Sequence, residues 1–238
     1  MNDASAAALA VLRHAAEDLI AGAGVPPPLR AIMSTLATSD MALPPPAFFA
    51  PRPWRLDEQS LFPLPAREEA KARADPELRR AFGAAYALLP AQDERAVEQV
   101  YYLLQEYAWA VPSPGDDATS LFDQARTDAA VAAARADSRD DAPVLLLGGD
   151  ISGVQDFIYT LTAAGATKAL RARSLYLQLL TDAIAGWVLR RAGMPITNLL
   201  YGGGGRFYVV LPASVEGAIG VWQSELGRLL LHRHAGEL

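Results

Sequence analysis

Apolar and polar residues follow different patterns in the two halves of the 238-residue chain. In the first half apolar residues recur at helical spacing, with alanine supplying much of the apolar content, and this pattern predicts helices. Between 42 and 65, seven prolines and four aromatic residues break the helical period, so an irregular segment is expected there. The predicted features of this half are helices at 4–23, 29–39 and 94–110, a further helix start at Asp75–Pro76, a loop at 111–117 and a helix after Ser120.

Local capping signals indicate where two of these helices begin. Asp75 stands directly before Pro76, and aspartate is a preferred helix cap whereas proline fits the first helical position. Ser120 is predicted to cap the helix that follows it. The polar segment 136–143 predicts a linker to the second half.

The second half predicts a strand, a long helix, a β-hairpin and a last helix. The run VLLLGG at 144–149 is typical of a buried strand, and 169–193 is a long amphipathic stretch closed by a glycine. ITNLLYG and RFYVVLP flank a glycine run, which predicts a hairpin, and 214–235 predicts the final helix. The order βαββα is that of a ferredoxin-like palm, as in nucleotide-polymerising enzymes, without its last strand.

These patterns predict an α+β protein of two domains. A helical domain is expected over 1–140, and an incomplete ferredoxin-like palm over 144–238. Since the final strand of the palm is missing, we expect this chain to be part of a larger protein or to be completed by a partner.

Charge and composition narrow the classes of function. From residue 144 onwards there are eight basic and six acidic residues, so the net charge of −6 divides into −8 for the first 143 residues and +2 for the rest. The anionic first half argues against tight, non-specific binding of nucleic acid by the chain alone. Cysteine is absent from the sequence, which excludes disulfides and thiolate metal sites. No signal peptide or membrane-spanning run is predicted, so a cytoplasmic location and no membrane partner are expected.

The candidate site combines the end of the first strand with the tip of the hairpin. In a nucleotide-polymerising palm the first strand ends on a metal-binding carboxylate, and the palm order places Asp150 at the same sheet edge as the glycine turn 202–205. The turn and the following Arg206 carry no acid, which indicates a cyclase-type palm with binding geometry but no catalytic residue. Glycines permit positive φ and let a nucleotide lie against bare N–H groups. The alternative is a loose hairpin turn, with Asp150 capping the segment that comes after the strand.

Four basic residues near this site have two possible uses each. Lys168, Arg171 and Arg173 open the long helix and suit a triphosphate, or they form a solvated basic face or a partner contact. Arg206 suits a phosphate, or it pairs with Asp150 and fills the place of the absent acid.

The sequence lacks the motifs of a P-loop and of a catalytic serine elbow. GxxxxGK[ST] and GxSxG are absent, and Ser152 has no histidine to activate it. His14, His232 and His234 lack ligand spacing and are interpreted as exposed polar residues, so no metal site is predicted.

Three consecutive segments carry a family resemblance. GDISGVQDFIYTL, LRARSLYLQLLTDAIA and NLLYGGGGRFYVVLP together resemble the Csm-type large subunit of type III CRISPR–Cas effector complexes, which act in antiviral defence. The segments at 46–63 and 110–133 are also similar to that family, ahead of its palm and at the end of its HD nuclease domain. The resemblance extends over roughly 40–215.

The resemblance implies an ATP site. The family has an HD domain that cuts single-stranded DNA and two facing palms; the second palm carries GGDD and makes cyclic oligoadenylates from ATP with Mg²⁺ or Mn²⁺, while the first holds a second ATP. The implied partners are a GGDD palm in cis or trans, other effector subunits, and crRNA and target RNA through the complex. The ATP-side residues that carry over by motif are Asp150, Ser152, Gly153, Gly203, Gly204, Gly205, Arg206 and Phe207.

The chain departs from the family at residues that matter for catalysis. It has no His-Asp dyad, and Asp123-Gln124 stands where the family often reads Asp-His. The domain at 1–140 is therefore expected to be a degenerate HD-like domain, and the chain alone is expected to be inactive. The leading hypothesis is an ATP-positioning half of the complex. The alternatives are an inactive structural scaffold and a degenerate cyclase-like sensor of another nucleotide.

Overall fold

The computed structural model describes residues 1–36, 43–90, 95–138, 142–159 and 166–234. They form two compact units that divide the chain between Ala129 and Ala130, with Asn2–Ser5 belonging to the second unit. The described residues mix helices with small sheets, as expected for an α+β protein. None of the described helices is both long and apolar enough to cross a membrane.

Helices dominate the first unit, which shares its first and last helix with the second. Two short antiparallel pairs, β1 with β2 and β3 with β4, accompany them, together with a 3-10 turn at Ile32–Thr35. In order, the elements are α1 (Asp3–Ala21), β1 (Leu29–Arg30), β2 (Phe48–Phe49), α2 (Glu58–Leu61), α3 (Arg67–Ala72), α4 (Leu78–Tyr86), α5 (Ala96–Ala108), β3 (Pro112–Ser113), β4 (Asp116–Ser120) and α6 (Leu121–Arg135).

One of the two capping predictions is confirmed in this unit, and the other is wrong by two residues. The Ser120 hydroxyl accepts the N–H of Asp123 at 2.9 Å and so caps α6. Asp75 was predicted as the cap of a helix starting at Pro76, but α4 begins at Leu78 with Glu77 at its N-cap and without a side-chain cap. The Asp75 carboxylate instead accepts the N–H of Glu77 at 2.9 Å and so stabilises the turn that precedes the helix.

Two predictions for this unit are wrong. The segment 111–117, predicted as a loop, contributes to the β3–β4 hairpin, whose turn uses Gly115 at φ +86°. The segment 29–39, predicted as a helix, contains β1 and only a 3-10 turn, and its residues 37–39 lie outside the described ranges. The reason is tertiary, because the backbone of β1 pairs with the aromatic strand β2 from the proline-rich segment.

The second unit contains a three-stranded antiparallel sheet with order β5-β7-β6. The predicted strand, long helix, two strands and last helix are present in that order, and a short helix that was not predicted, Val154–Tyr159, lies between the first strand and the long helix. Among the described residues β5 pairs on one side only. The elements are β5 (Val144–Asp150), α7 (Val154–Tyr159), α8 (Ala166–Ala192), β6 (Leu199–Gly203), β7 (Arg206–Pro212) and α9 (Ile219–His234), with 3-10 turns at Ile196–Asn198 and Ala213–Ala218.

Helices α8 and α9 cover one face of this sheet. Buried side chains from β7 and α8 form the core, and Trp187 of α8 meets Trp222 of α9 edge to face at 6.3 Å between ring centroids. Helix α8 ends as predicted at Gly193, whose φ of +70° allows Met194 N–H to bond the Leu189 carbonyl at 2.9 Å.

A buried asparagine joins the end of α6 to the other face. The Asn198 amide donates to the carbonyl of Ala130 at 3.0 Å and to that of Val210 at 2.8 Å. Beside it Ala130 and Ala134 pack on Val210. Helix α6 therefore covers one end of the face that α8 and α9 leave open.

Candidate functional site

The sheet of the second unit has one packed face and one largely open face. Along β7, Phe207, Val209 and Leu211 lie on the side of the helices and are buried. Arg206 and Tyr208 alternate with them and lie on the opposite, exposed side. The exposed polar side chains of β7 therefore lie on the open face.

The end of β5 and the hairpin tip are brought together as the sequence predicts. Asp150 is the register partner of Arg206, and the N–H of Ile151 donates to the carbonyl of Gly205 at 2.9 Å. Gly205 has φ +88°, and a Cβ there would lie 2.9 Å from the Val154 side chain at the start of α7. The turn is thus closed against the strand end, and a larger residue than glycine does not fit at this point.

Asp150 and Arg206 form an open ion pair. The Arg206 Nε donates to Asp150 Oδ1 at 3.3 Å, and the two side chains are 65% and 63% exposed. An exposed pair of this kind contributes at most about 1 kcal/mol. Arg206 can therefore exchange its carboxylate partner for another anion at little cost.

The tip of the hairpin presents backbone rather than side chains. Gly203 is the register partner of Arg206, and Gly204 follows with φ +62°. A Cβ placed at Gly204 would meet no atom within 4 Å, so the space beside this residue is open. The predicted bare backbone thus lies next to the Asp150–Arg206 pair.

Ser152 and Gly153 follow Asp150 directly and lead into α7. Both are exposed, and Gly153 has φ +81° while its carbonyl accepts the N–H of Phe157 at 2.9 Å. Within the described residues, no hydrogen bond joins the side chain of Ser152 to the hairpin.

The basic residues that open α8 do not share one environment. Arg173 donates to the Phe157 carbonyl and lies 5.3 Å from the centroid of the Phe157 ring, so it holds α7 against α8. Lys168 and Arg171 are exposed, and neither has an ion-pair partner within the described part of the chain. No described hydrogen bond or ion pair joins any of the three to the hairpin tip.

Phe207 lies on the packed face. It is 5% exposed, and its ring occupies the space beside Gly149, where a Cβ would come within 2.2 Å of the ring. Phe207 therefore stabilises the sheet from the side opposite to Asp150 and Arg206.

Two exposed tyrosines on the open face were not predicted as site residues. Tyr201 and Tyr208 are register partners, 53% and 44% exposed, with ring centroids 6.2 Å apart. For Tyr208 the signal was available, since strand alternation in RFYVVLP places it on the side of Arg206. For Tyr201 no signal was available, because its face depends on a β-bulge.

A cavity of about 700 Å³ was also missed. It lies between β5 and the helices α8 and α9, and the predicted site residues Asp150 and Ser152 are also part of its lining. Its available signal was the apolar spacing of Trp222, Leu226 and Leu230 in α9. Its lining is mainly aliphatic, so it does not match a triphosphate.

The prediction that the histidines are exposed polar residues is only partly right. His232 is exposed, but His234 is partly buried and its Nε2 lies 3.2 Å from the Tyr176 hydroxyl. In the described ranges, no cluster of three or more His, Asp or Glu side chains is arranged to hold a metal ion.

Comparison with known proteins gives a family match within the second unit and several similar proteins. Residues 143–238 match the family model described as Csm1 subunit domain B. The chain is 30% identical over 176 residues to the CRISPR system single-strand-specific deoxyribonuclease Cas10/Csm1 (subtype III-A) of Methanocaldococcus jannaschii, covering 57% of this chain and 22% of that protein. It is 43% identical over 96 residues to the Mycobacterium tuberculosis protein of the same description, covering 40% of this chain and 12% of the relative.

Solved structures share the fold over nearly the whole chain. The Csm1–Csm4 cassette in complex with cA4 superposes with a TM-score of 0.65 at 23% identity, covering 94% of this chain and 31% of that one. The cassette in complex with one ATP gives a TM-score of 0.59 at 23% identity, with 94% and 30% covered. The chain thus spans less than a third of the length of these relatives. In sequence, the chain is similar to the Csm-type large subunits of type III CRISPR systems.

Proposed function

We propose that residues 144–238 act as the first palm of a type III large subunit and hold one ATP against a GGDD palm supplied in cis or in trans. The observation that carries this proposal is the closed junction between β5 and the hairpin, where Ile151 bonds Gly205 and leaves Asp150, Arg206 and bare backbone facing outwards. A relative with the same fold is described in complex with ATP, which supports a nucleotide as the ligand.

The roles of the residues follow from their chemistry. The backbone of Gly204, beside which no atom lies within 4 Å of a built Cβ, is open to the phosphates, whereas the Tyr201 hydroxyl lies beside Gly203 and the Val154 side chain beside Gly205. Arg206 supplies a positive charge next to this backbone. Ser152 and Gly153 lie close by in sequence and offer a hydroxyl and a backbone N–H. Phe207 supports the strand from the packed face, so we leave its side chain out of the contact.

The proposed half-site orients a nucleotide and does not activate it. No acid stands at the hairpin tip, so the divalent metal and the deprotonation of the attacking 3′-hydroxyl belong to the GGDD palm. This chain contributes by fixing the second ATP in a reactive orientation. Lys168 and Arg171, exposed and without an ion-pair partner within the described ranges, are available to a more distant phosphate or to a neighbouring subunit.

The helical segment 1–140 is proposed to be a degenerate HD-like domain that contacts other effector subunits. Relatives of the same fold are described as complexes of Csm1 with Csm4, which makes a Csm4-type subunit the first partner to test. Contact with crRNA and target RNA is proposed to occur through the assembled complex.

Titration with ATP tests the nucleotide proposal. ATP is added to the purified chain and to its mixture with a GGDD palm, and binding is followed by calorimetry. Arg206→Ala is expected to weaken binding about tenfold, because a charge-assisted contact to phosphate is lost. Arg228→Ala, which removes an exposed charge on α9, is the matched control and is expected to bind ATP normally. Absence of binding in both preparations would contradict the proposal.

A second function, an inactive structural scaffold, is favoured by the Asp150–Arg206 ion pair, since Arg206 already has an anionic partner. In a reconstituted complex, Arg206→Ala separates the two proposals. Loss of cyclic product with normal assembly supports ATP contact, whereas normal product with weaker assembly supports the scaffold.

A further inference from the structure

We propose that Tyr201 and Tyr208 form the surface on which the adenine base of this ATP stacks. The inference rests on the proposed nucleotide function and names the part of the site that recognises the base. Both tyrosines are about half exposed, and their rings lie 6.2 Å apart between centroids at an angle of 47°, so they present two adjacent aromatic faces. Exposed aromatic rings are the usual partners of stacked bases.

A β-bulge places Tyr201 on the open face. Leu199 packs with the core on the helix side, and strict alternation would return Tyr201 to that side. The pairing with β7 shifts between Leu199 and Tyr201, so that Leu200 and Tyr201 both lie on the open side. A bulge of this kind re-aims a side chain, and here it brings the Tyr201 ring next to Tyr208.

Gly148 provides space for the second ring. Tyr208 is the register partner of Gly148, and a Cβ built on that glycine would lie 3.0 Å from the Tyr208 ring. The ring therefore leans across β5 over the glycine. The absence of a side chain at Gly148 thus leaves room for the ring on the open face.

The order of side chains along the open face matches a nucleotide. Asp150, Arg206 and Gly203 form one row across the three strands, and Gly148, Tyr208 and Tyr201 form the next row. The two rows are separated by two residues along each strand, or roughly 6.8 Å. A charged, glycine-rich row thus lies one step from an aromatic row, in the same order as the phosphates and the base of ATP.

The aromatic surface ends at the next row of residues, on the side away from Arg206. In the following row Val210 is covered by Ala130 and Ala134 of α6, while Leu146 stays 61% exposed. The aromatic row is therefore bounded by apolar residues on the side away from Arg206. This arrangement accommodates a base next to the phosphates rather than a second charged group.

The test compares a ligand that has a base with one that does not. ATP and inorganic triphosphate are each titrated into the purified chain, alone and mixed with a GGDD palm. Tyr201→Ala and Tyr208→Ala are each expected to weaken the binding of ATP about tenfold and to leave the binding of triphosphate unchanged. Arg206→Ala is expected to weaken the binding of both ligands. Tyr208→Phe keeps the ring and is expected to bind ATP normally, which separates stacking from a bond to the hydroxyl.

Tyr102→Ala is the matched control, because Tyr102 is also about half exposed and in ring contact with a neighbouring tyrosine. If ATP binds and the Tyr201 and Tyr208 variants bind it normally, the stacking inference is overturned while the proposed function stands. If neither ATP nor triphosphate binds the parent chain, the proposed function fails as well. If the Tyr201 and Tyr208 variants bind single-stranded oligoadenylate more weakly but bind ATP normally, the surface is assigned to RNA and the inference is overturned.

The cavity beside α9 is an alternative place for the base, and a variant that fills it tests this alternative. Gly227 lines it, and a Cβ on this residue meets no atom within 4 Å, so Gly227→Leu enters the cavity without a backbone clash. This variant is expected to bind ATP normally. Weakened ATP binding in Gly227→Leu, together with normal binding in both tyrosine variants, would place the base in the cavity and contradict the stacking surface.

Discussion

The two faces of the β5-β7-β6 sheet are made by alternate residues of the same strands, yet they have different properties. Phe207, Val209 and Leu211 are buried against α8 and α9, whereas Arg206 and Tyr208, between and before them in sequence, are exposed. Burial on one face supplies the stability of the unit and leaves the other face free to carry ligand contacts. Substitutions on the packed face should therefore change the free energy of unfolding, whereas substitutions on the open face should change the binding of ATP.

The largest expected effect is on the packed face. Leu211→Ala is expected to lower the free energy of unfolding by about 3 to 4 kcal/mol, because it leaves a cavity under the helices. Leu146→Ala, on the open face of the neighbouring strand, is expected to cost less than about 0.5 kcal/mol. Urea denaturation measures both values. A similar loss of unfolding free energy in the Leu211 and Leu146 variants would mean that the open face is packed in solution.

The adjacent glycines of β5 sharpen the same comparison. Gly149→Ala is expected to cost about 2 to 3 kcal/mol, because the new Cβ would lie 2.2 Å from the buried Phe207 ring. Gly148→Ala meets the exposed Tyr208 ring at 3.0 Å, and this ring can move aside, so less than about 1 kcal/mol is expected. Thermal and urea unfolding of the pair check this order, and a reversed order would contradict the assignment of faces.

Asn198 tests where the open face ends. Asn198→Ala removes the two bonds to the carbonyls of Ala130 and Val210 and is expected to cost about 2 kcal/mol. Amide exchange should then increase at the end of α6 and leave α8 protected. A uniform loss of protection across the second unit would show that Asn198 supports the whole unit rather than this junction.

The smallest expected effect on stability is at the ion pair. Asp150→Asn and Arg206→Ala are each expected to change the unfolding free energy by less than about 1 kcal/mol, since both side chains are exposed. The two variants should have opposite effects on the binding of ATP. Arg206→Ala weakens binding, whereas Asp150→Asn frees Arg206 and removes a repelling charge, and a gain of roughly threefold is expected without added metal. Equal weakening by both variants would indicate that the carboxylate itself binds the nucleotide.

Much of the second unit could be predicted from local sequence signals. The apolar run before Asp150, the glycine that ends α8 and the glycine run between two apolar strands each act over a few residues, and the predicted order of elements agrees with the structure. The meeting of Asp150 with the hairpin tip followed from that order. In the first unit, β1 and the β3–β4 hairpin were missed because their formation depends on pairing with residues outside the local window.

The sequence alone determined the alternation of buried and exposed residues in β7, the absence of acid at the hairpin tip and the resemblance to type III large subunits. Only the tertiary structure decided that Phe207 fills the space beside Gly149 and that a bulge turns Tyr201 to the open face. The physical reason is that a strand's period of two is local, whereas the register between strands is selected by packing against helices far away in the chain.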